Sequence, residues 1–455
     1  MNHKLIVACC FIIICISCKN DVIDNKPKKE LKVITTIDSQ IEQWQQELKV
    51  PNVALGIIED GKIIKTKVYG NTKEGAKAPD DMLFNVASVT KVVFTALALK
   101  LIENGDLDIN EPLYPYYVDP DVVSDERHKK LTPYTLLSQQ SGFSNNWRWD
   151  HPTEKLIFTT DPGSVYNYSG EGMEYLRNSI EQKFQKSLTT LSDSLLFNPL
   201  SMYKTSHSWD GKKDLNAFSL AYNTLGELHN LDDHSTIDNA GDDLITTASD
   251  LSTFGVYMLD QIHKEKSPYT EMTKVQTSIT PNLNQGLGWR MVTNLPNGEY
   301  AIQHGGNDIG VAAIIVLLPN SKRGIVVLTN GDNGALICNN IVRVVFPDVG
   351  NEIIHKSYKS GVIQEVIDIT QEELQKYNGN YIQPNGRKLG ITTIENGLHL
   401  KMPGIPNLNF YQAEEDTFFS PDFDFELLFF RNEEGGINET SLSFEGKNMI
   451  RCKKE

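Results

Sequence analysis

Two residue types at one spacing carry most of the chemical interest of this chain. In "NVASVTKVVFTALAL", residues 85 to 99, Ser88 stands three places before Lys91 and an apolar run follows at once. A serine hydroxyl is a weak nucleophile until a neighbouring base takes its proton. A lysine amine is such a base once burial or another positive charge favours its neutral form. Residues three apart on a helix share a face, roughly 5–6 Å apart at Cβ, so a helix starting at Ser88 brings the two groups within reach. Its free N–H groups and positive dipole end also favour negative charge developing on a substrate. Val89, Val92, Val93, Ala96 and Leu97 carry that helix towards a stop at Asn104-Gly105. Serine is also an ordinary helix cap, so one residue is expected to do both jobs.

The same spacing recurs at Ser201 and Lys204 in "PLSMYKTS", where the serine follows Pro199-Leu200 and precedes another loop. Nothing there supports a helix, and that pair reads as a bystander. Partners elsewhere favour Ser88. In "DPGSVYNYSGEGMEYL", residues 161 to 176, a Pro-Gly turn leads to Tyr168 on a loop opening a helix. A phenol held near a lysine can shuttle a proton. In "QHGGNDIG", Gly305 and Gly306 let a strand edge approach a ligand closely. His304 adds a donor that is neutral or charged near neutral pH. Each has a plain alternative, an aromatic core residue for Tyr168 and a surface strand histidine for His304.

Together these stretches resemble the serine β-lactamase and penicillin-binding family, in its class C, D-aminopeptidase and esterase branch. Ser88 and Lys91 match its Ser-x-x-Lys motif, and Tyr168 and Ser169 match the start of its Tyr-x-Asn motif, with Gly170 where asparagine is usual. His304, Gly305 and Gly306 match the histidine form of its third motif. "LTPYTLLSQQSGF", carrying Gln139 for the usual histidine, "FNPLSMYKTS", "GDDLITTASDL" and "QGLGW" have counterparts there too, so the resemblance covers roughly residues 38 to 346. It implies that Ser88 attacks a carbonyl while Lys91 and Tyr168 exchange its proton. The backbone N–H groups of Ser88 and Asn307, beside Gly305 and Gly306, would form an oxyanion hole. His304 would steady Tyr168 or a substrate carboxylate, and water would release the acyl group. The implied substrate is a small molecule or short peptide: a small ester, a D-amino-acid peptide or a β-lactam-like amide. No cofactor and no metal is called for. With glycine at 170, ester or small-peptide hydrolysis is more expected than efficient β-lactam turnover. The rival expectation is a silent or slow penicillin- or cell-wall-peptide-binding lipoprotein.

The elements that must position these residues are legible in outline. "TIDSQIEQWQQELKV" reads as an amphipathic helix stopped by Pro51, and two strands alternate around Asp60-Gly61, a hairpin signal. "YAIQHGGNDIGVAAIIVLLPNSKRGIVVLTNG" reads as three adjacent strands. Two early and three late strands with helices between predict an α+β fold: one antiparallel sheet flanked by helices, with a helical subdomain. After about residue 365, short strands with turns at Pro384-Asn385-Gly386 and Glu395-Asn396-Gly397 predict a small all-β barrel. That tail resembles the lipocalin-like C-terminal domain of some family members. The expected domains are residues 38–350 for the hydrolase and 365–455 for the barrel. Two further segments invite a role. "NNWRWD" (145–150) reads as an aromatic rim to a cleft or as tryptophans packed with Arg148 stacked nearby. "LDDHSTIDNAGDD" lacks the spacing of a calcium loop and reads as a solvated loop beside the cleft.

The chain has 455 residues and a formal charge of −16, which argues against a nucleic-acid partner. Its N-terminus sets Lys4 before "LIVACCFIIICIS" and Cys18, the pattern of an export signal. "CISCKN" resembles a bacterial lipoprotein signal, with Cys18 the lipidated residue. Residues 1–18 are therefore expected to be removed or lipidated, 19–37 to form a flexible tether, and the protein to sit in the bacterial envelope on a membrane anchor. Four of the six cysteines lie in that leader, and Cys338 and Cys452 are expected to be buried and unpaired.

Overall fold

The computed structural model describes residues 26–144, 147–151, 153–209, 217–229, 236–357, 365–384, 386–402, 405–421, 423, 425–444 and 447–455. The export signal and Cys18 lie outside these residues. Within them, no helix is long and apolar enough to cross a membrane.

Strands β1 (Asn52–Glu59) and β2 (Lys62–Gly70) form the expected hairpin, with Asp60 and Gly61 both at positive φ. Two short strands, β3 (Phe84–Asn85) and β4 (Ile245–Thr246), pair with each other. Then come β5 (Thr277–Ser278), β6 (Leu283–Gln285), β7 (Arg290–Val292), β8 (Ala301–Asp308), β9 (Val311–Leu318) and β10 (Arg323–Thr329). The eight-stranded sheet runs in the order β2-β1-β10-β9-β8-β7-β6-β5, all antiparallel. The three strands expected at 300–330 are β8, β9 and β10. Alternate residues of the central strands face opposite sides, and both sides are covered. Ala54, Ile315, Leu317, Val326 and Leu328 enter one core, while Leu55, Val316, Leu318, Ile325 and Val327 enter another.

Helix α1 (Lys26–Leu48) lies on the second face. It begins inside the stretch expected to be a tether, which corrects that boundary. Pro27 falls in the first turn, where a missing N–H costs nothing. The first face is covered by α2 (Thr90–Glu103), α3 (Pro133–Leu137), α4 (Gly170–Phe184), α5 (Leu188–Ser192), α6 (Ala248–Ile262) and α7 (Pro268–Met272). A Cβ on Gly56 of β1 would lie 1.9 Å from Ser252 Oγ, so that glycine lets α6 sit directly on the sheet. Helices α8 (Gly334–Val345) and α9 (Gly350–Lys356) complete the second face.

After α10 (Gln371–Leu374) the chain forms a closed antiparallel barrel of eight strands in sequence order. These are β11 (Gly379–Ile382), β12 (Lys388–Ile394), β13 (Gly397–Met402), β14 (Ile405–Glu414), β15 (Thr417–Phe419), β16 (Phe425–Arg431), β17 (Ile437–Phe444) and β18 (Lys447–Lys454). Tyr381, Leu389, Leu400, Phe410, Phe418 and Leu427 pack in one cluster, joined by Leu336 of α8 and Leu48 of α1. Asn333 ties the two parts. Its Oδ1 accepts from the Asn407 N–H at 3.1 Å, and its Nδ2 donates to the Leu48 and Thr224 carbonyls. Cys338 and Cys452 are buried and free, as expected.

Candidate active site

Ser88 sits in a one-turn 3-10 segment, Ala87–Val89, that runs into α2. The residue capping α2 is Val89, and no side chain caps either helical segment. The expected capping role of Ser88 is thereby corrected, because its hydroxyl is engaged elsewhere. Lys91 Nζ donates to Ser88 Oγ at 2.8 Å. Ala87 holds φ 45, a left-handed conformation disfavoured by its side chain, and its N–H donates to Asn85 Oδ1 at 2.7 Å. Strain of this kind survives only where the surroundings fix it, and it gathers at functional sites. The turn presents Ser88 partly exposed while its neighbours Ala87 and Val89 are buried.

Helix α2 is not amphipathic. Every residue from Thr90 to Leu99 is buried, which makes it a central helix rather than a surface one. Lys91 is 1% exposed, so its amine must find partners inside the protein. Besides Ser88 it donates to the Gly241 carbonyl at 2.5 Å and lies over the ring of Tyr168, 4.9 Å from the centroid.

Tyr168 stands two residues before α4, on a loop tied down by Gln139. The Ser169 N–H donates to Gln139 Oε1 at 2.7 Å, and the Asn167 N–H donates to the Gln139 carbonyl at 2.8 Å. Ser169 then caps α4 by accepting from the Gly172 N–H. His304 lies on β8 with its ring centroid 6.0 Å from that of Tyr168. Its Nδ1 is 2.7 Å from the Gly305 carbonyl, so the ring donates there. Burial, then the positive charges of Lys91 and Arg290, push the His304 imidazole down to about 3. It is therefore neutral, which removes it as a charged partner for a substrate carboxylate. Arg290 of β7 stands with its guanidinium carbon 5.6 Å from the Tyr168 ring centre.

Strand β8 passes close against the nucleophile turn. A Cβ on Gly306 would lie 2.1 Å from the Val86 carbonyl oxygen and 3.1 Å from the Ser88 nitrogen. Gly305 has room, its nearest neighbour being 3.8 Å away. Asn307 follows on the exposed end of β8, opposite Ala312. The structure thus gathers Ser88, Lys91, Tyr168 and His304 at one place, with the Gly305–Asn307 stretch of β8 running beside them. Ser201 and Lys204 lie apart from it, and Lys204 pairs with Asp81 at an exposed site.

Four contributors were not legible as such. Gly241 supplies the carbonyl that holds Lys91. Asp242 beside it is part-buried, and burial raises its carboxyl to about 7, with Asp243 and Asp308 adding to the rise against the pull of Lys91. This "GDD" closes the segment expected to be a plain solvated loop; residues 231–235 of it lie outside the described residues. Among the described residues no cluster could hold a metal. Arg290 directly follows "QGLGW", the only signal that could have found it. Glu171, 3% exposed, accepts three bonds from the Arg148 guanidinium, which also reaches Asp119 and Asp121. Arg148 pairs with carboxylates instead of stacking on a tryptophan, while Trp147 and Trp149 stack on each other at 4.6 Å.

Residues 37–338 match the family model for Beta-lactamase. Protein flp of Staphylococcus aureus is 27% identical over 317 residues, covering 65% of this chain; the chain spans only 62% of that relative's length. Among solved structures, the octameric penicillin-binding protein homologue from Pyrococcus abyssi superposes with a TM-score of 0.62 at 19% identity, over 92% of this chain and 100% of that one. EstCE1, a hydrolase with promiscuous acyltransferase activity, gives 0.55 at 16% identity, over 67% and 95%. At these identities the two structures speak for the fold alone.

Proposed function

The chain belongs to the beta-lactamase family, and from that premise we propose that it is an exported serine hydrolase that cleaves an ester or amide through an acyl-Ser88 intermediate. The observation that carries this reading is the 2.8 Å bond from the buried Lys91 amine to the partly exposed Ser88 hydroxyl, with Tyr168 against the same amine. Nucleophile and base in hydrogen-bond contact, with the base oriented by further groups, is the arrangement an activated serine requires.

In this reading Ser88 Oγ bonds to the substrate carbonyl carbon while its proton passes to the Lys91–Tyr168 pair. The tetrahedral oxyanion is met by the backbone N–H groups of Ser88 and Asn307. The absence of a side chain at Gly306 supports this, since it lets β8 lie against the Ser88 nitrogen. Such a donor contributes about 3–4 kcal/mol to the barrier. The carbonyl carbon then releases the alcohol or amine, which takes the proton back. Water repeats the sequence and frees the acid. His304, neutral, positions Tyr168. The export signal and Cys18 belong to the same proposal, with the hydrolase held at a membrane of the cell envelope.

Labelling with a fluorophosphonate and with a fluorescent penicillin tests it. Wild type should be labelled at Ser88 and Ser88→Ala should not. Labelling that survives the substitution overturns the assignment of the nucleophile. No labelling of either protein overturns the hydrolase reading in favour of a silent binder of cell-wall peptides.

A further inference from the structure

The motif position that Gly170 leaves without a side chain is not empty. A Cβ built on Gly170 would lie 2.3, 2.4 and 2.9 Å from Cζ2, Cη2 and Cε2 of Trp147. A Cβ on Gly241 would lie 2.8 Å from the same Trp147 Cη2 and 3.4 Å from Gly170 Cα, so the two glycines meet one edge of the ring together. The indole thus rests against two adjacent glycines, one opening α4 and one whose carbonyl holds Lys91, and either side chain would displace it. Its ring centre is 5.9 Å from the Lys91 amine. Trp149 stacks on its outer side with the planes 10° apart and is 61% exposed. Arg148 between them fixes both rings, since its backbone N–H and its guanidinium are bound by Glu171 in the first turn of α4.

From this we infer that the Trp147–Trp149 pair is the acyl-side wall of the site and selects substrates whose acyl group carries a flat apolar substituent, rejecting those that carry a side-chain amide there. The inference rests on the hydrolase reading above. An aromatic face attracts another ring by offset or edge-on stacking. It offers an amide no hydrogen-bond partner, and an amide desolvated without a partner loses on the order of 10- to 100-fold in kcat/KM. The glycine at 170 is then the complement of Trp147: any larger residue would displace the ring.

Two p-nitrophenyl esters separate the cases, the phenylacetate and the hippurate (N-benzoylglycinate), which differ by an amide inserted between the α-carbon and the ring. Full-length wild type should prefer the phenylacetate at least tenfold in kcat/KM. Trp147→Ala should bring the two within about threefold, chiefly by raising KM for the phenylacetate, and Trp147→Phe should keep the preference. Trp147→Ala combined with Gly170→Asn, which restores an amide to the position, should move the ratio further towards the hippurate. Because losing Trp147 could disturb folding, Trp149→Ala gives a second arm in which the inner ring stays, and it should cut the preference at least threefold. Equal turnover of both esters by wild type, or a proportional fall for both in Trp147→Ala and Trp149→Ala, overturns the inference while leaving a nucleophilic Ser88 intact. Failure of fluorophosphonate to label wild-type Ser88 overturns the hydrolase reading, and the inference with it.

Discussion

Replacing Gly306 by alanine tests how closely β8 must approach the nucleophile turn. The added Cβ would sit 2.1 Å from the Val86 carbonyl oxygen, roughly 1.4 Å short of the ~3.5 Å at which non-bonded atoms rest in contact. The clash is backbone against backbone, so no side chain can swing away. Val86 is followed by Ala87, already at φ 45, and a turn with so little conformational freedom has few ways to yield. The relief must come from moving β8 or Ser88 by about an ångström. Misplacement of that size costs on the order of 100-fold in rate. Gly305→Ala supplies the contrast, since its nearest neighbour is 3.8 Å away and its loss should be at least tenfold smaller. The assay is kcat/KM on p-nitrophenyl phenylacetate, with the rate of fluorophosphonate labelling as a second measure and the thermal midpoint as a check on folding. If Gly306→Ala retains more than a third of wild-type kcat/KM, or if Gly305→Ala falls as far, the argument from close approach is wrong.

Three further outcomes follow from the same geometry. Arg148→Met leaves Glu171 and Asp119, both 3% exposed, without their cation. A loss of about 2–4 kcal/mol is expected by urea denaturation, at the lower side of a fully buried pair because Arg148 is 33% exposed, and a loss under about 1 kcal/mol would refute it. Asp242, facing Lys91, Asp243 and Asp308, has its carboxyl raised to about 7. It stabilises the fold most at acid pH, and that contribution, at most about 4 kcal/mol, is lost as pH rises through about 7. Wild-type stability should therefore decline between pH 5 and 8 more steeply than that of Asp242→Asn, and parallel curves would count against the buried acid. Finally, with Trp147 in place of the motif amide, penicillins, which carry a side-chain amide, are expected to acylate Ser88 slowly and to turn over slowly. Stopped-flow detection of rapid nitrocefin hydrolysis at micromolar enzyme would contradict this.

What the sequence determines here is local. The interval from Ser88 to Lys91 is one helical turn, so the backbone alone brings hydroxyl and amine together. Asp60-Gly61 supplies the positive φ values that a tight hairpin needs, and the alternating runs after residue 365 can close only as a sheet. Matching several weak motifs in order extended this to Tyr168 and His304. What only the tertiary structure decides are contacts between residues far apart in the chain. Gly241, 150 positions from Lys91, supplies the carbonyl that the buried amine needs. Trp147 fills the space over Gly170, and nothing in "NNWRWD" says which ring turns inward. The neutral state of His304 and the raised carboxyl of Asp242 depend on how much water packing removes and which charges it brings near. Neither quantity is written in residue order, because desolvation belongs to the folded surroundings of a group and not to its neighbours along the chain.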